Sequence, residues 1–134
     1  MKNKSLIALT VVMALLITAS AVQAANGPDA GTIAVAASGG EADARISERS
    51  SRTPYLLIFD GRGNLLEVHE NPITRDRQAG PAMAEWLSDK GVDTFIGGGI
   101  GRNLGRGLER HQISGIEADG SASDAVNAVL ERND

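Results

Sequence analysis

Gly91-Val-Asp-Thr-Phe-Ile-Gly-Gly-Gly-Ile-Gly101 is an apolar run closed by a cluster of glycines, and its reading decides the fold. Val92 to Ile96 has the length and composition of a buried strand. After the turn, Ile100, Leu104 and Leu108 recur at steps of four, which is helical spacing. Four glycines within Gly97–Gly101 permit positive φ and close approach of a ligand or of a neighbouring element. Backbone N–H groups at such a strand–turn–helix junction suit an anion. The residues leave two uses open: a cradle for a ligand, or tight packing of strand on helix.

Working outward, Ile113–Glu117 reads as a last strand. Ser121 is placed to cap a helix whose Ala122, Ala125, Val126, Val129 and Leu130 form one apolar face. On the N-terminal side, Gly80-Pro81 opens a helix with proline at its first position. Ala82, Met83, Trp86 and Leu87 make its inner face, and Gly91 ends it after Lys90. Asp93 stands within reach of the Gly91 turn. Further back lie an apolar strand at Thr32–Ala36, a polar loop at Glu41–Pro54 and a second strand at Tyr55–Asp60. The turn Asp60-Gly-Arg-Gly-Asn64 leads into a returning strand, Leu65–Glu70. Its alternation predicts Leu66 and Val68 inward, with Glu67 and His69 on the exposed face. Asn71–Gln78 is a second polar loop. The order is β-β-β-α-β-α-β-α, an α/β domain with an antiparallel hairpin and parallel crossovers on one mixed sheet of five strands carrying three helices.

The first 24 residues read as an address. Lys2 and Lys4 precede the apolar run Leu6–Ile17, and Val22-Gln-Ala24 fits cleavage after Ala24. The run is shorter than the roughly 20 residues of a membrane span. The expected product is periplasmic or secreted, with a short leader at 25–31, a single domain at 32–134 and no membrane contact after cleavage. Net charge is −4 for the whole chain, and loss of the two lysines leaves eleven basic against seventeen acidic residues, −6. An acidic domain is a poor non-specific ligand for nucleic acid. The chain has no cysteine, which excludes disulfides and thiolate-held zinc or iron–sulfur centres within one chain.

Chemistry-bearing patterns are few. Gly99-Ile-Gly101 lacks the third glycine of a dinucleotide fingerprint, since Asn103 and Leu104 follow where it belongs. Arg102, Arg106 and Arg110 stripe one helix face. Arg102 lies beside the glycine turn, where it either adds charge to the backbone donors or is solvated. Arg106 and Arg110 read as a solvated face pairing with Glu109 or nearby aspartates. Glycines at 101, 105 and 107 each weaken that helix by roughly 1 kcal/mol, so it should pack closely through its backbone. His69 and His111 have no metal-ligand spacing. No nucleophile–base pattern appears, and the expectation is a protein that is not an enzyme.

With that order in hand, the chain resembles the dinitrogenase iron–molybdenum cofactor biosynthesis family from Thr32 to about Leu130. The resemblance rests on Ile33-Ala-Val-Ala36, Arg45-Ile-Ser-Glu48, Arg52-Thr-Pro-Tyr-Leu-Leu-Ile58 and Glu70-Asn-Pro72. It continues through Ala84-Glu-Trp-Leu-Ser-Asp-Lys-Gly-Val-Asp93, the glycine turn and Ile113-Ser-Gly-Ile116. It implies a ribonuclease-H-like sheet and a non-enzymatic domain that binds and hands on anionic metal–sulfur clusters, from a cluster donor or to a metalloprotein. The implied site is the loop after the first strand, facing the glycine turn: Ser38, Gly39, Ser47, Arg49, Arg52, Gly97, Gly98, Gly99, Gly101 and Arg102. Where relatives often carry Ser-Glu-His-Phe-Gly-Arg, this chain has Ser47-Glu-Arg-Ser-Ser-Arg52. Charged arginine does not ligate a metal, but it holds an anion by charge-assisted hydrogen bonds. The expected cargo is therefore an anionic molybdenum- or iron-containing metal–sulfur cluster, or an oxoanion such as molybdate. The alternative is a protein-interaction module of the same fold that has lost cofactor binding.

Overall fold

The computed structural model describes residues 31–73 and 77–132. The first 24 residues, read above as a signal, and most of the expected leader lie outside the described residues, as do Arg75 and Asp76 of the second loop.

Five strands form one sheet in the order β3-β2-β1-β4-β5: β1 Ile33–Ala37, β2 Tyr55–Phe59, β3 Leu65–Glu70, β4 Thr94–Gly97 and β5 Ser114–Glu117. β1 pairs antiparallel with β2 and parallel with β4, while β2–β3 is antiparallel and β4–β5 parallel. Three helices complete the fold: α1 Ala79–Asp89, α2 Arg102–Arg110 and α3 Ala122–Arg132. The mixed α/β order read from the sequence is the one observed.

Every residue of β1 is buried, because helices cover both faces of the central strands. On one face Ala34, Ala36, Leu56, Ile58 and Phe95 pack with Met83, Ala84 and Leu87 of α1 and Leu104 and Leu108 of α2. On the other, Ile33, Val35, Leu57, Phe59 and Ile96 pack with Ala122, Ala125, Val126 and Val129 of α3. α1 begins two residues before the expected proline, so Pro81 is its third residue rather than its first. It ends as expected at Gly91, whose φ of +74° a side chain would strain. The hydroxyl of Ser121 accepts the Asp124 N–H at 3.2 Å, the expected cap of α3.

The third strand departs from its predicted alternation. Its register steps from Ile58↔Glu67 to Phe59↔Leu65, so Leu66 is an extra, bulged residue. Glu67 and His69 consequently fall on the α1 face, where His69 packs edge-on against Trp86 at 5.2 Å. Leu66 and Val68, expected inward, are exposed at 57 % and 45 %, while Glu67 is exposed as expected and His69 half-buried. One helix, about 10 Å across, cannot cover a sheet some 19 Å or more wide, and on the α3 face the outermost strand stays bare.

Asp93 also has a different partner from the one expected. Its carboxylate accepts the Thr32 N–H at 2.9 Å and fixes the entry to β1 rather than the Gly91 turn.

Candidate functional site

β1 and β4 run parallel side by side, and the chain leaves them in opposite directions across the sheet. Their carboxyl ends therefore open a crevice, the usual ligand position in open α/β sheets. The loop after β1 and the glycine turn after β4 both lie there.

Over much of their length the two segments pack directly on each other, and open space is left only beside this seam. Gly98 N–H donates to Ser47 C=O at 2.9 Å, and Ser47 N–H donates to Ala36 C=O at 2.9 Å. A Cβ on Gly98 would lie 2.7 Å from the Ser47 carbonyl and 2.8 Å from Glu48 Cα. One on Gly99 would lie 2.8 Å from the Glu48 carbonyl, and one on Gly97 would collide with the Ser50 side chain. None of these turn glycines has positive φ; the positive values fall at Gly31, Gly63, Gly91, Gly120 and Gln112. The cluster serves close approach rather than a left-handed turn. Two of its donors are engaged internally: the Gly98 amide with Ser47, and Ile100 N–H, which donates to a Glu117 carboxylate oxygen at 3.1 Å.

Ser38 and Gly39 take no part in a shared site with these residues. The amide and hydroxyl of Ser38 both donate to Arg45 C=O, at 2.8 and 3.1 Å, and fold the loop back on itself. Gly39 stands beside Glu41 and Ala44.

The open space lies on the α1–α2 side of the turn. A cleft of about 590 Å³ is lined by Ser51, Arg52, Arg77, Gln78, Gly80, Gly101, Arg102 and Asn103, among others. Among the described residues no carboxylate lines it. Both α1 and α2 begin at its wall, and neither has a side-chain cap or an acidic residue in its first turn. The two helix ends touch: a Cβ on Gly80 would lie 2.8 Å from the Leu104 amide nitrogen. Two positive dipole ends and three arginines thus border one volume. A second hollow of about 410 Å³, lined by Arg49, Ser50, Ser51, Arg52 and Gly99, shares Ser51 and Arg52 with the cleft. By contrast, a hollow of about 550 Å³ lined by Arg45, Glu48, Glu117 and Asp119 is dominated by carboxylates.

Of the residues predicted for the site, Arg52, Gly101 and Arg102 line the cleft, and Arg49, Arg52 and Gly99 line the adjoining hollow. Ser47, Gly97 and Gly98 form the packed seam behind them. Arg77, Gln78, Gly80 and Asn103 are the lining residues that the sequence did not single out. A signal existed for Arg77: it stands two residues before α1, where a cation opposes the helix dipole. Arg102, the first residue of α2, is misplaced in the same sense.

The donor set is suited to an anion whose own coordination sphere is complete. Among the described residues no group of three His, Asp or Glu side chains is placed to hold a metal ion. His69 is engaged with Glu67 at 2.8 Å, on the face of the outer strand β3 that packs against α1.

A family model described as dinitrogenase iron-molybdenum cofactor matches residues 31–132. Among solved structures, the apo form of the orange protein from Desulfovibrio gigas superposes with a TM-score of 0.71 at 22 % identity, over 79 % of this chain and 92 % of that one. A protein from Thermotoga, named as a NifB protein of the DUF35 family, superposes with a TM-score of 0.64 at 29 % identity, over 75 % and 88 %. No curated protein matches.

Proposed function

The chain belongs to the dinitrogenase iron-molybdenum cofactor family, and on that premise we propose that it is a non-enzymatic carrier of an anionic cargo. The cargo is a metal–sulfur cluster or a molybdate-like oxoanion, seated in the cleft between the starts of α1 and α2. The observation that carries this reading is that Arg52, Arg77 and Arg102 line one cleft together with two helix N-termini that lack side-chain caps, and that no carboxylate lines it among the described residues. Guanidinium forks and backbone amides hold the cargo from outside its coordination sphere, so it enters and leaves intact. The cleft is open, as delivery to an acceptor metalloprotein or receipt from a cluster donor requires. With its first 24 residues acting as a cleavable signal, the carrier works in the periplasm or beyond.

The deciding experiment is elemental analysis of the protein purified without oxygen from its native host, with N-terminal sequencing of the same sample. Stoichiometric molybdenum or iron is expected on a chain that begins near Ala25. The Arg77→Ala/Arg102→Ala double variant should lose the metal while keeping its circular dichroism spectrum. Full retention of metal by that variant would remove the cleft from consideration.

A further inference from the structure

Ser50 is 2 % exposed, and its hydroxyl has no hydrogen-bond partner among the described residues. Buried hydroxyls without a partner are uncommon, because desolvation of the group is then uncompensated. The side chain lies over Gly97, close enough that a Cβ there would collide with it. Yet Ser50 also lines the 410 Å³ hollow together with Arg49, Ser51, Arg52 and Gly99. Four successive residues with hydrogen-bond-donating side chains, Arg49-Ser-Ser-Arg52, thus line one hollow, and none of its described lining residues is acidic.

We propose that Ser50 is a binding residue for a tetrahedral oxoanion held in this hollow, with its hydroxyl as the donor that completes the site. This deepens the carrier reading and rests on it: it commits the recognised group to an oxoanion, seats it against the Ser51–Arg52 wall that the hollow shares with the cleft, and names a residue that reads it. A serine hydroxyl changes direction by a step of about 120° between staggered rotamers. That step turns Ser50 Oγ from Gly97 towards the hollow when an acceptor oxygen arrives. The guanidinium groups of Arg49 and Arg52 balance the ion's charge, and the Ser50 and Ser51 hydroxyls meet its remaining oxygens. A hydroxyl donates more strongly to oxide than to the larger, softer sulfide, so Ser50 favours molybdate over its fully thiolated counterpart.

The test compares wild type with Ser50→Ala by calorimetric titration with sodium molybdate, sodium phosphate and tetrathiomolybdate, and by thermal melting without any of them. The variant is expected to bind molybdate about tenfold more weakly and to melt no lower than wild type, since the orphaned group is gone. Phosphate separates the sources of the chemistry: equal weakening for phosphate assigns a general oxoanion site, and weakening for molybdate alone a selective one. Unchanged molybdate affinity in Ser50→Ala overturns the assignment, as does a variant that melts lower or fails to fold, which marks the hydroxyl as structural. Binding of tetrathiomolybdate alone, equally in both proteins, overturns it but leaves the carrier reading standing. A wild-type protein that binds none of the three removes both.

Discussion

At the scale of single residues, the glycine cluster was legible as a place where the backbone must be bare, but not why. Sequence permits positive φ and close approach alike. Only the fold reveals that Glu48 and Ser47 sit where Cβ atoms of Gly98 and Gly99 would be. Asp60 was easier, because an aspartate opening a Gly-rich turn has few other uses. Its carboxylate accepts the Arg62 and Asn64 amides at 2.9 Å each. The Asn64 amide is the chief reason its pKa lies below the ordinary carboxylate value, with Arg62 contributing and partial burial opposing. A carboxyl depressed by folding contributes stability that is present above its unfolded pKa and is lost as pH falls through the folded one. The hairpin should therefore loosen only below about pH 4. Comparing the acid limb of the melting temperature for wild type and Asp60→Asn checks this. The variant's melting point should fall less steeply there, and parallel curves would show that the turn does not depend on the charge.

Among the secondary-structure elements, α2 displays both what periodicity tells and what it omits. Leu104 and Leu108 announced its buried face correctly. Its glycines were expected to mark backbone-close packing, and this is true of one of them. A Cβ on Gly107 would lie 2.7 Å from Ala84 Cβ of α1, whereas one on Gly105 would only graze Ile100 at 3.9 Å. Gly107→Ala should accordingly destabilise the protein by about 1–3 kcal/mol through overpacking. Gly105→Ala should stabilise it by up to about 1 kcal/mol through helix propensity. Urea denaturation of both variants decides the matter, and equal effects of the same sign would contradict the packing described. Arg106 and Arg110 of this helix were expected to pair with Glu109 or nearby aspartates. Among the described residues they form no such ion pair, and the pairs that do form join Glu67 to His69 and to Lys90. The outer strand β3 was misread for a reason no pattern of period two can anticipate. A single bulged residue, Leu66, reverses the faces that follow it.

For the molecule as a whole, element order was enough to give the sheet, but the cleft is a product of three distant segments. Arg52, Arg77 and Arg102 acquire a common meaning only when α1 and α2 are brought together at the carboxyl edge of β4. The result is a strongly cationic volume in a chain whose net charge is −4. Like charges gathered along one cleft repel, so the native state should gain from any anion that fits. Mass action sets the size of that gain: a ligand at a hundred times its dissociation constant adds about 2.7 kcal/mol. For a domain of roughly 100 residues this corresponds to about 10 °C or more in melting temperature. Melting curves with increasing molybdate at low ionic strength should therefore climb, and the climb should shrink as sodium chloride is raised, since chloride both screens the arginines and competes for them. The Arg77→Ala/Arg102→Ala variant should start at or above the wild-type melting point without molybdate and respond little to it. That opposition of effects, a protein steadier when empty and less responsive to ligand, separates a binding cleft from a merely structural cluster of charge. A double variant that melts lower than wild type yet still gains as much from molybdate would assign the arginines to the fold.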